Sequence, residues 1–419
     1  MFTSTEQRIR IGRRNLRSMY AYTAVSRLWF DGGIWVIYWQ HRGLSLTDIG
    51  LLEAILHIVC VLSDVPIGVF ADKYGWKLAI CLSALLGVVY TLVSLFAHSF
   101  WLAAIAFAAR GLQVTLNSGS DVAIAYESAG FAQMHDRYLV ISGRLFAVSL
   151  IALGLAEMAG GALASWSWPA VYIAFTISNI AAFLVALTIR EPRDSSVHAS
   201  AARPTLATIV RTAGQFARQS RPYVSWIVWS SVLSAIVATF SFYGQSMLLE
   251  AGWTLLAIGV LTAFENGIGA LLSAGAHRLV SWWTLPGTVS LVCLLVVSGL
   301  LLFAWLPGIA VGVGYFVISA AMSLADPLVD QGLNTLVPSA GRSTLLSANS
   351  TAFSLLMIVG FPVFGAFAAH YGLREVAHVT SLFGLCAAVV VTVWWLKVER
   401  HTRLESSQQP VKIDTTGHA

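Results

Sequence analysis

The chain has 419 residues, 57% of them hydrophobic and only 11% charged, with a formal net charge of +5. A soluble domain carries about 25% charged residues, so this composition excludes a water-soluble fold and puts most of the chain in lipid. The modest positive balance speaks to membrane orientation, not to a nucleic-acid partner.

Residues 1–17 are polar and basic, with no apolar core leading to a small-residue cleavage site. No removable signal peptide is expected, and the first apolar stretch stays in the protein. A helix needs roughly 20 apolar residues to cross the hydrocarbon. Such stretches run over 18–40, 44–66, 78–98, 101–126, 138–163 and 169–189, then over 223–248, 255–277, 285–304, 309–333, 344–368 and 375–397. They predict an all-α integral membrane protein with twelve transmembrane helices, spans 1 to 12, in two bundles of six. The predicted division is a cytoplasmic segment (1–17), an N-terminal bundle (18–189), a cytoplasmic linker (190–222), a C-terminal bundle (223–397) and a cytoplasmic tail (398–419).

With both termini on one side, twenty of the 25 Lys and Arg fall on that side, and only Arg42 and Arg374 fall in the opposite loops. This positive-inside asymmetry predicts a multi-pass plasma-membrane protein, in a bacterium the inner membrane, with both tails cytoplasmic. Trp101, Trp166, Trp168, Trp253 and Trp305 stand at the outer span ends, where interfacial anchors belong. Cys60, Cys81, Cys293 and Cys386 lie inside spans without metal-ligand spacing. Neither disulfide, metal nor cofactor is expected. No nucleotide-binding loop and no nucleophile–base pair suggests an enzyme.

The halves echo each other. A shift of 205 places Asp121 on Asp326, Arg137 on Arg342 and Gly160 on Gly365, and a shift of 209 places Ile49-Gly50 on Ile258-Gly259. Duplicated bundles related by an axis along the membrane normal form transporters whose substrate path runs between them.

Ionisable residues inside spans are costly and mark functional sites. Arg27 and Asp31 on span 1, and Glu53 and His57 on span 2, are each four apart and would share a helical face. Asp31, Glu53 and Arg110 reach a similar depth. Such a group either resets a proton when solvent access changes or ties spans 1, 2 and 4 together as a static network. Glu265, beside Asn266, is the lone acid near mid-depth of the C-terminal half, suited to a cationic substrate or to a helix hydroxyl. Asp121 and Asp326 lie deep, either as inner-gate residues with Arg144 or Arg137 as partners or as plain solvated helix ends.

Three motifs resemble those of the major facilitator superfamily. Gly68-Val69-Phe70-Ala71-Asp72-Lys73-Tyr74-Gly75-Trp76-Lys77 is similar to its G-x-x-x-D-[RK]-x-G-x-[KR] signature, departing at Trp76, where the family has a base. Arg110-Gly111-Leu112-Gln113 resembles R-x-x-Q-G, with Val114 for the last glycine. Gly154 to Gly161 on span 5 resembles the antiporter signature ending G-P-x-x-G-G, with Ala156-Glu157 in place of Gly-Pro. The repeat partner Gly360-Phe361-Pro362-Val363-Phe364-Gly365 keeps Gly, Pro and the later Gly. The stretch from Ser118 to Arg144 resembles a bacterial efflux-like branch of the same superfamily.

The resemblance implies alternating access by two pseudo-symmetric bundles. It implies that Asp72, framed by Gly68, Lys73, Gly75 and Lys77, docks on the start of span 11 near Ser343-Thr344 when the cavity faces outward, with Arg342 as a second partner. It also gives Arg110 and Gln113 a part in proton coupling; Glu157 would add one more buried titratable group. The expected activity is drug–proton antiport of small amphipathic or cationic molecules through a largely apolar cavity, by a monomer in the bilayer. The alternative is proton-coupled import of a sugar, amino acid or organic anion.

Overall fold

The computed structural model describes residues 5–192, 206–337 and 342–408. Among them every regular element is helical, and nine helices are long and apolar enough to cross a membrane. Large apolar side chains face outward along them, such as Leu139, Trp166 and Phe383 at 85%, 82% and 72% exposure. In water such a surface would aggregate, whereas in lipid it is solvated.

Span 1 is the first departure from expectation. Helix α1 (Thr5–Ser26) stops, and the chain turns through residues 27–34 before α2 (Trp35–His41) resumes. Arg27 and Asp31 therefore do not share a helical face. The break wedges between the two halves: a side-chain carbon on Gly32 would lie 2.6 Å from Glu157 Oε1, and one on Gly33 would lie 2.8 Å from Thr262 Oγ1. A broken helix in lipid survives only if its freed backbone groups find partners. Gln245 supplies two of them, donating through Nε2 to the Gly32 carbonyl at 3.1 Å and accepting at Oε1 from the Val36 amide at 3.1 Å. Gln245→Leu strands both groups at a cost of about 1–3 kcal/mol. The variant is expected to loosen this junction, read as faster labelling of a Val36→Cys reporter, a site with 0% exposure, by an impermeant maleimide.

Helix α3 (Leu46–Tyr74) starts with a capping box between Ser45 and Asp48. It meets α4 (Trp76–Phe96) across the single residue Gly75, whose φ of +111° suits glycine alone. The expected charged hairpin is thus one residue long, and Gly68 lies inside α3. Span 4 also divides, into α5 (Phe100–Asn117) and α6 (Ser120–Phe131), at Gly119 with φ +78°. A 3₁₀ turn at His135–Arg137 leads into α7 (Tyr138–Trp166), followed by α8 (Trp168–Thr188).

The linker carries a helix the apolar pattern did not reveal, α9 (Leu206–Gln219), ahead of α10 (Arg221–Glu250). Spans 8 and 9 run as one 51-residue element, α11 (Leu255–Trp305), interrupted at Thr284 with φ 69° and ψ 161°. At 1.5 Å per residue it is long enough, about 77 Å, to cross the ~30 Å hydrocarbon twice around that interruption. Helices α12 (Ile309–Leu336), α13 (Arg342–Tyr371) and α14 (Leu373–Gln408) complete the fold.

The halves meet along two seams, α3 with α13 and α7 with α11, both on the side away from the chain ends. On that distal side Arg42 also donates to the Leu95 and Ala97 carbonyls at 3.0 and 2.9 Å. Glycines make the seams. A side-chain carbon on Gly50 would lie 2.6 Å from the Phe361 carbonyl oxygen, and one on Gly259 would lie 2.5 Å from that of Glu157. Reciprocally, Gly365 is pressed on the Leu46 carbonyl and Gly161 on that of Leu255. Leu46 and Gly50 map onto Leu255 and Gly259 by the 209 shift. Gly161 and Glu157 map onto Gly365 and Phe361 by 204, one residue off the register read from sequence. The internal repeat is therefore expressed as two copies of one helix contact.

Candidate functional site

The break in span 1 carries Asp31 into the N-terminal half, where it is 4% exposed. Its Oδ2 accepts from Tyr90 Oη of α4 at 2.5 Å. Arg110 of α5 lies against the Trp29 face, with Cζ 4.0 Å from the ring centroid, and 5.3 and 5.7 Å from those of Tyr90 and Phe175. A desolvated cation over such faces gains about 2 kcal/mol. Its Nη1 donates to Gln113 Oε1 at 2.9 Å, Gln113 Nε2 donates to Asn179 Oδ1 at 3.1 Å, and Asn179 Nδ2 donates to the Phe175 carbonyl at 2.9 Å. The guanidinium is within electrostatic reach of both Asp31 and Glu53. Asn179 went unnoticed in the sequence; the signal was an amide in the middle of an apolar span.

Glu53 and His57 do share a face of α3, with His57 Nε2 3.7 Å from Glu53 Oε1. His57 also reaches across the seam, placing Nδ1 3.2 Å from Ser354 Oγ and its ring edge on Phe353 of α13. Arg27 belongs elsewhere. Its Nη2 lies 3.7 Å from Asp121 Oδ2, where Asn117 Nδ2 also donates at 3.1 Å, and Asn117 in turn accepts from Tyr22 Oη at 2.7 Å. Asp121 is therefore paired with Arg27, not with Arg137 or Arg144. The break frees Arg27 from Asp31, and the turn at Gly119 sets Asp121 in the first turn of α6 beside it. Arg144 is exposed and forms no ion pair among the described residues.

Two polar cavities are present, and the first adjoins this cluster. One of about 330 Å³ is lined by Arg27, Trp29, Arg110, Asn117, Asp121 and Asn179. The other, about 640 Å³, lies between the halves. Phe146 and Leu150 of α7 face Ser230 and Ser234 of α10, Glu265 and Asn266 of α11, Asp326 and Asp330 of α12, and Asn349 of α13. Ser230 Oγ donates to Asn349 Oδ1 at 2.6 Å. Glu265 is thus one of three acids on a polar wall, not a lone acid, and none of the three forms an ion pair among the described residues. The largely apolar cavity expected between the bundles is not found there. An apolar crevice of about 910 Å³ lies within α10, α13 and α14 instead, lined by outward-facing groups such as Phe367 and Phe383.

At the opposite end from the seams, the one-residue turn at Gly75 leaves the first amides of α4 without an N-cap side chain. Glu191, just past α8, fills that role, accepting from the Trp76 and Lys77 amides at 3.0 and 2.9 Å. An anion at a helix N-terminus is favoured by the free N–H groups and the helix dipole. Lys77 Nζ donates to the Leu187 carbonyl at 2.9 Å, and Trp76 Nε1 donates to Asp72 Oδ1 at 3.4 Å. The tryptophan that replaces a base in the signature thus still serves Asp72 as a donor. Glu191 was missed because nothing local marks a glutamate in a polar linker as a cap for a helix begun 115 residues earlier. The Arg342, Ser343 and Thr344 side chains, proposed partners of Asp72, lie outside the described residues.

Two helical bundles sealed at one end, with a polar cavity between them, define a membrane transporter. The chain belongs to the Major Facilitator Superfamily, whose family profile matches residues 21–330. It is similar to an uncharacterized MFS-type transporter, YxaM, of Bacillus subtilis (strain 168), at 23% identity over 372 residues, covering 86% of this chain and 90% of that one. In fold it is similar to the nucleoside transporter NupG, with a TM-score of 0.73 and 13% identity over 93% of this chain and 98% of that one. It is also similar to a D-xylose–proton symporter, with a TM-score of 0.63 and 16% identity over 92% and 96%. A bacterial homologue of the lysosomal transporter Spinster, in an inward-facing conformation, gives 0.65 and 15% over 97% and 100%. The protein is a multi-pass transporter, not an enzyme.

Proposed function

We propose that this chain is a proton-coupled transporter that carries a small polar solute through the cavity between its halves by alternating access. One observation carries the reading: Asp31 is buried in the broken span, held by Tyr90 and faced by Arg110. A carboxylate so placed changes protonation when a conformational step changes its access to water or its distance from the arginine. The polar wall at Ser230, Ser234, Asn266 and Asn349 favours a hydroxyl- or amide-bearing solute. Import by symport is the reading this wall supports, and the names of the nucleoside transporter and the D-xylose–proton symporter supply the first solutes to test. The efflux reading keeps one supporting observation, the acids Glu265, Asp326 and Asp330 without ion partners, which suit an organic cation. In both readings the chain-end side, where the cavity opens, is cytoplasmic, as the basic residues require, and the monomer is the working unit.

The test is proton flux in proteoliposomes with a pH dye inside, challenged with nucleosides, pentoses, amino acids and organic cations. Symport predicts acidification of the lumen by a polar solute added outside. Alkalinisation triggered by a cation would establish antiport in its place. No proton movement with any solute, while counterflow of the same solute proceeds, would overturn proton coupling.

A further inference from the structure

The two seams are copies of one contact, yet the four residues whose backbones touch differ at one position. Where α13 places Phe361, 0% exposed and packed against Phe242 and Tyr243 at 5.4 and 5.5 Å, α7 places Glu157, 8% exposed. An acid has taken the place of a core aromatic at a helix contact that closes the distal side.

Its surroundings offer an ionised carboxylate little. Asn266 Nδ2 donates to Oε2 at 2.7 Å, and Oε1 looks onto Gly32 of the broken span. The Thr262 hydroxyl lies beside the carboxylate as well but also donates to the Gly259 carbonyl at 3.1 Å. The ionisable groups near Glu157 are Glu265 from α11, Asp31 from the break and the Tyr315 phenol of α12, none of them a cation. It forms no ion pair among the described residues. A buried charge without a cation is unfavourable, whereas a neutral acid with its amide partner is accommodated. Parting of α7 from α11 would open Glu157 to the distal side, because its own carbonyl lies against Gly259 within that seam.

We propose that Glu157 is a second proton-binding site, loaded from the distal compartment, whose proton permits the α7–α11 seam to close and whose loss holds that seam open. The inference rests on the alternating-access reading and adds to it a proton bound at the contact between the halves, separate from Asp31. Protonation from a more acidic outer compartment then favours the cavity-open-to-chain-ends state seen here. That is the order of events proton-driven import needs.

The reporter is Ala164→Cys, 6% exposed and on the same face of α7 as Glu157 and Gly161, in full-length protein with the four native cysteines replaced. An impermeant maleimide is applied from the distal side across a pH series. Labelling, divided at each pH by the rate for the same cysteine in denatured protein so that thiolate formation cancels, is expected to rise with pH, by up to about tenfold per unit for a single proton. Glu157→Gln, which mimics the protonated acid, is expected to label slowly at every pH, while Asp31→Asn keeps the rise. Asn266→Leu, which removes the amide donor to the carboxylate, is expected to move the midpoint to higher pH. A pH rise that survives in Glu157→Gln, or a flat response in the parent, overturns the proposal. Loss of the rise in Asp31→Asn alone assigns the control to Asp31, which overturns it while leaving proton coupling intact. A Ser323→Cys reporter in the cavity checks that each variant is folded, and an unmoved midpoint in Asn266→Leu counts against the proposal even if the glutamine variant fails to fold.

Discussion

Asp31→Asn is expected to abolish accumulation of solute against its gradient while leaving exchange of labelled for unlabelled solute in place. Asparagine still accepts from Tyr90 Oη, which lies 2.5 Å from the carboxylate, so packing survives while the titratable group is gone. Exchange needs only the loaded carrier to reorient; accumulation needs a proton picked up on one side and released on the other. A gradient of one pH unit is worth about 1.36 kcal/mol, enough at one proton per solute for about tenfold accumulation, and the variant should fall to a ratio of one. Accumulation persisting at the parent level would remove Asp31 from the mechanism. Arg110→Gln has a different signature. It removes the nearby positive charge from buried Asp31 and empties the Trp29 face, where a desolvated cation gains about 2 kcal/mol. The yield of monodisperse protein should therefore drop along with transport. That contrast separates proton coupling from a static network, the two alternatives the sequence left open.

Gly259→Val is expected to trap the transporter with its distal side open. A side-chain carbon there would lie 2.5 Å from the Glu157 carbonyl oxygen, backbone that cannot move aside while the seam is closed. Overpacking of this kind costs about 1–3 kcal/mol, and as the clash exists only in the closed seam, the ratio of open to closed should rise roughly 5- to 150-fold. Spin labels at Trp166 and Leu256, on the distal ends of α7 and α11, should report a longer distance, and turnover should fall with it. Gly50→Val should act alike through the Phe361 carbonyl, where the spacing is 2.6 Å. A distance distribution unchanged by either substitution would remove the seams from the transport cycle.

The legible and illegible parts of the chain divide along a physical line. Residues 18–189 and 223–397 could be read as membrane helices because transfer of an apolar side chain into lipid depends on that side chain and its immediate neighbours. The glycines of the repeat were likewise visible as a pattern. Their use was not, because Gly50 on Phe361 and Gly259 on Glu157 are contacts between residues far apart in the chain. The same holds for the site. Arg110, Asp31 and Glu53 stood out as charges in apolar spans, and the fold gathers them into one neighbourhood without a direct ion pair among the described residues. Arg27 was misassigned, since a helical period cannot foresee the break that sends it to Asp121. Glu191 and Asn179 gave too little local signal to be chosen.

By itself, then, the sequence determined that this is a membrane protein of helices in two related halves with charge buried in the first, because hydropathy, internal similarity and charge are properties of short windows. Tertiary structure alone decided where helices break, which acid meets which base, and that the two seams differ by Glu157 against Phe361. Those outcomes depend on how closely one backbone can approach another and on whether a freed carbonyl or amide finds a distant side chain such as Gln245.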